Sequence, residues 1–335
     1  MKRLTYFAFA IIFCVTLSGC GAKSPTESLD TIGTVDGENI PQALYAYALA
    51  SVKQGISQSQ DTTAKDFWTK GKIDGKIAGD YARDKAKDNI ATIYAVRAYA
   101  KKAGASMTSD DRVELDKQIQ TQIESIGSKE KFQEALTNLG ITEAIYRETL
   151  INTKYETKAK DIYIKSLTTK DEQSHYKGMK RIKHVLIKTI DDERKPLPVK
   201  DIARAKNRIN EILKQVKSGK NFEKLIKDYG EDPGMLSNAD GYVLGKYDDT
   251  YDATFKEAAL KLKPGETSGI IKTVFGYHIL KCYATIAKNF EKDKDIIESD
   301  MWNEKKAEIE KKAKIKWNDE KVKEVPIETA VPATQ

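Results

Sequence analysis

The 335-residue chain holds three histidines, His175, His184 and His278. Two of them lie where a histidine is least expected. His184 falls within residues 182–190 and His278 within residues 277–284, and both stretches are apolar and rich in β-branched residues, the pattern of strands. A single imidazole in such a stretch is usually a satisfied core residue. Two of them in strands of one small segment invite a paired reading. Each neutral ring carries one donor and one acceptor nitrogen, so a facing pair can hydrogen-bond and fix each other's tautomers. Cys282 also lies in the second stretch, and there it reads as a small core residue rather than a nucleophile. No metal-ligand set stands out, and no metal or cofactor is called for.

The elements that would position this pair follow from periodicity. After the strand at 182–190 comes an amphipathic helix through Ile202, Ala205, Ile209, Ile212, Leu213 and Val216, ending at Ser218-Gly219. A shorter helix through Phe222, Leu225, Ile226 and Tyr229 stops at Gly230. A strand is expected over residues 241–245, then a helix through Phe255, Ala258, Ala259 and Leu262, broken by Pro264-Gly265. Two strands, 270–274 and 277–284, flank Phe275-Gly276. The order β-α-α-β-α-β-β predicts an antiparallel sheet wrapped by helices.

Residues 77–166 are helical in pattern almost throughout. Thr108 precedes Asp111 by three, the spacing of a capped helix start. Leu115, Ile119, Ile123 and Ile126 then mark one helix face before Gly127. No titratable cluster or Gly-rich phosphate loop interrupts this region, so helices packing on helices is its reading. Residues 34–41 read as an extended piece, a turn at Asp36-Gly37, and the start of a helix carrying Tyr45, Leu49 and Val52. At the other end, residues 295–317 read as a helix with a thin apolar side, and 325–335 as a Pro-, Thr- and Ala-rich disordered tail.

Charge bounds the partners. With 57 basic and 50 acidic residues the formal charge is +7, mixed in sign along the chain with no basic block, so no nucleic-acid surface is expected. The first residues differ. Lys2-Arg3 precedes an apolar run to Leu17, too short to span a membrane comfortably but laid out like a secretory signal. Leu17-Ser18-Gly19-Cys20 resembles a bacterial lipobox, which implies cleavage before Cys20 and lipidation of its sulfur. Two acyl chains give stable anchoring where one does not.

The strand motifs carry a more specific resemblance. His184-Val185-Leu186-Ile187-Lys188 is similar to the first strand of the parvulin-type peptidyl-prolyl isomerases. Phe255-Lys256-Glu257-Ala258-Ala259, Leu262-Lys263-Pro264-Gly265-Glu266 and Thr273-Val274-Phe275-Gly276-Tyr277-His278-Ile279 resemble the rest of that domain, in the right order over about 100 residues. With the lipobox and a helical N-terminal half, the whole chain resembles the PrsA-like foldase lipoproteins. The resemblance implies that His184 and His278 face each other in an orienting role. It places Asp232 beside the substrate amide, although a turn cap before Pro233 explains that residue as well. Phe255 matches the pocket phenylalanine, with Thr273 and Phe275 completing the site. Tyr251 stands where the family has Met, Ala253 replaces a Pro, and Asn238-Ala239-Asp240-Gly241 replaces a Gly-Gly-acid stretch. These departures imply a changed pocket and a slower isomerase.

The expected fold class is α+β: a parvulin-like four-stranded antiparallel sheet wrapped by helices, attached to a mostly helical, chaperone-like module. Residues 1–19 are the signal, 20–33 a tether, 34–180 the helical region, 181–286 the isomerase, 287–320 a helix packing on the helical region, and 321–335 a disordered tail. The expected activity is cis/trans isomerisation of X-Pro bonds in unfolded or newly exported proteins, at the cell membrane on the extracytoplasmic side, anchored through Cys20. The alternative is a non-catalytic holdase that uses the fold only to bind clients. A homodimer is among the assemblies it allows.

Overall fold

The β-branched run Thr31–Val35 (β1) pairs antiparallel with Glu38–Pro41 (β2) across Asp36 and Gly37, whose φ values are 50° and 89°. That is the two-residue turn an Asp-Gly pair favours. A computed structural model describes residues 30–59, 61–284 and 289–327; the expected signal segment and Cys20 lie outside the described residues. Ile32 is fully buried, so the expected tether ends before β1 rather than at residue 33.

The chain divides into two units. Among the described residues, 30–165 and 305–327 form one, and 166–304 form the other. In the first, β2 leads into α1 (Gln42–Ser59), α2 (Phe67–Lys70), a small hairpin of β3 (Lys72–Ile73) and β4 (Lys76–Ile77), and four longer helices. These are α3 (Ala78–Lys102), α4 (Ser109–Ile126), α5 (Lys129–Asn138) and α6 (Glu143–Ser166). The Thr108 capping box is present, with Asp111 as its reciprocal partner. Ile32, Val35, Tyr45, Leu49, Ile90 and Tyr94 belong to the core between the hairpin, α1 and α3. Phe132, Leu136 and Tyr146 centre a second cluster between α4, α5 and α6.

In the second unit, α7 (Thr169–Gly178) precedes β5 (Lys180–Lys188). Then come α8 (Val199–Lys217), α9 (Phe222–Tyr229), the short α10 (Pro233–Ser237), β6 (Tyr242–Leu244), α11 (Ala253–Lys261), β7 (Ile271–Lys272) and β8 (Gly276–Tyr283). The sheet order is β6-β5-β8-β7, antiparallel throughout. Register assigns its faces. His184 lies opposite Leu280 and Leu186 opposite His278, so all four share one face by strand alternation. Val185, Ile187, Tyr277 and Ile279 occupy the other face and pack on α8 and α9. α11 covers part of the histidine face through Phe255 and Ala259, against Ile182, Leu280 and Cys282. A slip of one residue between β5 and β8 would exchange the faces and take the histidines away from α11.

The C-terminal segment departs from expectation. α12 (Lys294–Lys312) does not continue to residue 317; Ile315–Trp317 is a strand, β9, which joins the other edge of β1. Its residues form too short a run for periodicity to show, and long-range pairing with β1 decides their state. Trp317 meets the Tyr45 ring at 6.0 Å. Residues 321–327 are not a disordered tail either: α13 (Asp319–Glu324) buries Val322, and Val325 is buried beyond it. The segment read as one helix packing on the helical region is shared between units, with residues up to 304 in the second and those from 305 in the first. The chain is α+β, a four-stranded antiparallel sheet with its helices attached to a mostly helical unit.

Candidate active site

Strand register and a glycine set the pair of histidines. His184 and His278 are 4% exposed each, and their Nδ1 atoms lie 3.1 Å apart, with rings stacked at 5.2 Å and 21°. Gly276 opens β8 with φ of 151°. A Cβ there would overlap the Ile187 carbonyl oxygen and crowd the Lys188 Cα. Gly276→Ala is therefore expected to open the β5–β8 ladder beside the site, costing about 1–3 kcal/mol. Chemical denaturation of the full chain checks this, and an unchanged midpoint would contradict it.

Four hydrogen bonds extend the pair. Asp232 Oδ2 lies 2.8 Å from His184 Nε2, and Thr273 Oγ1 lies 2.8 Å from His278 Nε2. The Phe275 amide donates to Thr273 Oγ1 at 3.1 Å, and the Tyr242 hydroxyl donates to Asp232 Oδ2 at 2.8 Å. Burial pushes the Asp232 carboxyl up, but the hydrogen bonds it accepts from His184, Tyr242 and the Gly234 amide outweigh it and bring it to about 2. An ionised carboxylate only accepts, so His184 Nε2 carries a proton. With both rings neutral, one proton order then satisfies every member. The Thr273 hydroxyl donates to His278 Nε2, His278 Nδ1 donates to His184 Nδ1, and His184 Nε2 donates to Asp232.

His278 is held at about 3, against an ordinary 6.5, first because burial penalises its charged form and then because His184 opposes it; Asp232 pulls partly the other way. A folded value below the unfolded one means that the unfolded chain takes up the proton first. Stability contributed by neutral His278 is complete above pH 6.5 and is lost as pH falls toward 3, by up to about 1.4 kcal/mol per pH unit. Asp232 acts in the same direction between 3.8 and about 2. Melting curves from pH 7 to 4 should therefore fall less steeply for His278→Asn than for the natural chain. Parallel profiles would contradict this.

The cup around the pair is aromatic. The Phe255 ring meets His184 edge-on at 5.2 Å and His278 at 5.5 Å. Tyr251 stacks on Phe255 at 5.8 Å and 21°. These side chains, with Leu186, Thr273 and Phe275, line a cavity of about 510 Å³, and Phe275 stands at its rim, 39% exposed. The loop carrying Tyr251 is tied down from below. Asp300 Oδ1 accepts the Tyr247 amide at 2.8 Å, and its Oδ2 lies 2.8 Å from His175 Nε2. Asp300 also fills the space beside Gly245, where a Cβ would overlap its carboxylate. The third histidine is thus part of a support.

All seven site residues expected in this unit, His184, Asp232, His278, Phe255, Tyr251, Thr273 and Phe275, line this one cavity. Asp232 lines the cavity and also makes the turn cap, its Oδ1 accepting the Gly234 amide at 3.0 Å at the start of α10. Tyr242 was missed. It lies on the edge strand β6 after a Gly-containing turn, and no spacing links it to the histidines.

Residues 184–284 match the rotamase family model, described as the PPIC-type PPIase domain. The segment is a parvulin-type rotamase domain. The chain around it is PrsA-like. It is 29% identical over 317 residues to a foldase protein PrsA from Caldanaerobacter subterraneus subsp. tengcongensis, covering 92% of each chain. It is 32% identical over 181 residues to a PrsA of Staphylococcus aureus, covering 53% of this chain and 54% of that one. A crystal structure of PrsA from Bacillus anthracis matches at 25% identity and a TM-score of 0.31, over 70% of this chain and 94% of that chain. The rotamase match identifies residues 184–284 as a peptidyl-prolyl isomerase-type domain. Among the described residues no helix is long and apolar enough to cross a membrane, and no group of His, Cys, Asp and Glu could hold a metal ion.

Proposed function

We propose that the chain is a membrane-anchored, extracytoplasmic foldase: lipid on Cys20 holds it at the membrane, the helical unit engages exported, unfolded clients, and the rotamase domain isomerises their X-Pro bonds. The observation that carries this reading is the aromatic cup of Phe255 and Tyr251 set against the His184–His278–Asp232 chain.

The chemistry asks for little. Rotation about a peptide bond meets a barrier of about 18–20 kcal/mol because the planar amide is resonance-stabilised, and the uncatalysed X-Pro step takes tens of seconds or longer. Twisting removes the resonance and leaves the nitrogen pyramidal, with no covalent bond to the protein. Phe255, Tyr251 and Phe275 grip the proline ring. Asp232 stays ionised, and a fixed negative charge disfavours the negative charge that planarity places on the substrate carbonyl oxygen. His184, His278 and Thr273 hold that carboxylate in place. Selective stabilisation of the twisted form by about 2.7 kcal/mol gives about a hundredfold in rate.

A holdase that does not turn over is the second reading, and Tyr251 favours it by stacking on Phe255 and so narrowing the cup beside that ring. Refolding of a client limited by one X-Pro isomerisation tests the proposal. Acceleration of that phase by catalytic amounts of the chain is expected. Suppressed aggregation with an unchanged slow phase would leave only the holdase.

A further inference from the structure

The Tyr242 hydroxyl reaches the same carboxylate oxygen as His184, both at 2.8 Å. An oxygen of a carboxylate has two lone-pair directions, and on Asp232 Oδ2 both are filled. The other oxygen takes the Gly234 amide. Asp232 cannot turn about its side-chain bonds without losing three partners at once. Burial and the Asp232 charge both push the Tyr242 phenol up, so the hydroxyl keeps its proton and acts as a donor.

Two further observations concern the place of this side chain, one at its hydroxyl and one at its ring. A Cβ on Gly234 would overlap the Tyr242 oxygen, so the glycine at the start of α10 leaves the space that the hydroxyl fills. The Tyr242 ring also lies 5.7 Å from Tyr251 and 5.8 Å from His184. It therefore touches the proline cup on one side and the histidine pair on the other.

We propose that Tyr242 is a positioning residue of the isomerase: its hydroxyl is the second donor that fixes Asp232, and through Asp232 it sets the proton order of the His184–His278 pair. It acts through the carboxylate and has no contact role with the twisting bond. The inference rests on the reading of the cavity as an isomerase site.

The test is Tyr242→Phe in the full chain, which keeps the ring and removes one oxygen. Carbon-13 titration of Asp232 should move upward, and nitrogen-15 shifts of His184 and His278 should report an altered tautomer balance. Exchange of an X-Pro peptide should slow about tenfold, through kcat rather than KM. In an Asp232→Ala background the same change should cost nothing further, because coupled residues are not additive. Gly234→Ala, which expels the hydroxyl, should reproduce the Asp232 shift. Unchanged Asp232 titration and histidine shifts in Tyr242→Phe would overturn the proposal, as would an equal loss with and without Asp232. If the natural chain accelerates no peptide, the isomerase reading fails, while the NMR arm still decides whether Tyr242 fixes Asp232.

Discussion

Replacing His278 by Ala is expected to lower kcat/KM for an X-Pro peptide by between about tenfold and a hundredfold. The substitution removes the acceptor of the Thr273 hydroxyl and the donor to His184 Nδ1, leaving a buried O–H and a buried ring nitrogen unpaired while Thr273 Oγ1 still accepts from the Phe275 amide. Hydrogen bonds in a network ending on a charged group are worth about 1.5–3 kcal/mol, which sets that range through the rate relation. Asp232→Ala should fall in the same range, because it deprives His184 Nε2 of its acceptor. The two losses should not multiply in the double variant, since both residues belong to one chain of bonds. Protease-free exchange measurements on the peptide check the rate. Suppression of client aggregation, measured beside them, should survive both substitutions. A chain whose peptide exchange is indifferent to His278 and Asp232 would be a holdase.

Asp293→Ala should destabilise the rotamase unit by about 3–5 kcal/mol. Asp293 is 4% exposed and forms a buried ion pair with Arg181, which is 2% exposed. The Tyr176 hydroxyl donates to the same carboxylate at 2.6 Å, and Arg181 Nη2 reaches that hydroxyl at 3.1 Å. Arg181 Nη1 donates to the Asp240 carbonyl at 3.3 Å, so the network ties α7, the root of β5, the turn before β6 and the segment before α12 together. Removing the carboxylate leaves a guanidinium buried beside a strand that carries His184. Denaturant unfolding followed by tryptophan fluorescence, with Trp302 buried on α12, gives the measurement. A loss below 1 kcal/mol would mean that water reaches Arg181 and that the network is dispensable.

This network also marks where the sequence stops being readable. Arg181 and Asp293 are 112 residues apart, and nothing local to either announces the other. The unit therefore extends from 166 to 304, beyond the residues that carry recognisable motifs. β9 was hidden for a related reason: Ile315, Lys316 and Trp317 alternate, but three residues in a Lys/Glu-rich stretch read as the end of a helix until β1 supplies the pairing. Tyr242 was silent because its partner Asp232 lies across a turn and α10, where no period applies. By contrast, β5, α8, α9, α11 and β8 were legible, since each carries its own periodicity of 2 or 3.6. His184 and His278 stood out because polar side chains in apolar strands need partners, and each other's rings are the nearest ones available.

The most direct measurement is cis/trans exchange of a short X-Pro peptide by two-dimensional NMR, with catalytic amounts of the full chain. The account predicts exchange well above the uncatalysed rate, and its return to near that rate with His278→Ala. Exchange equal to buffer alone with the natural, folded chain would contradict it.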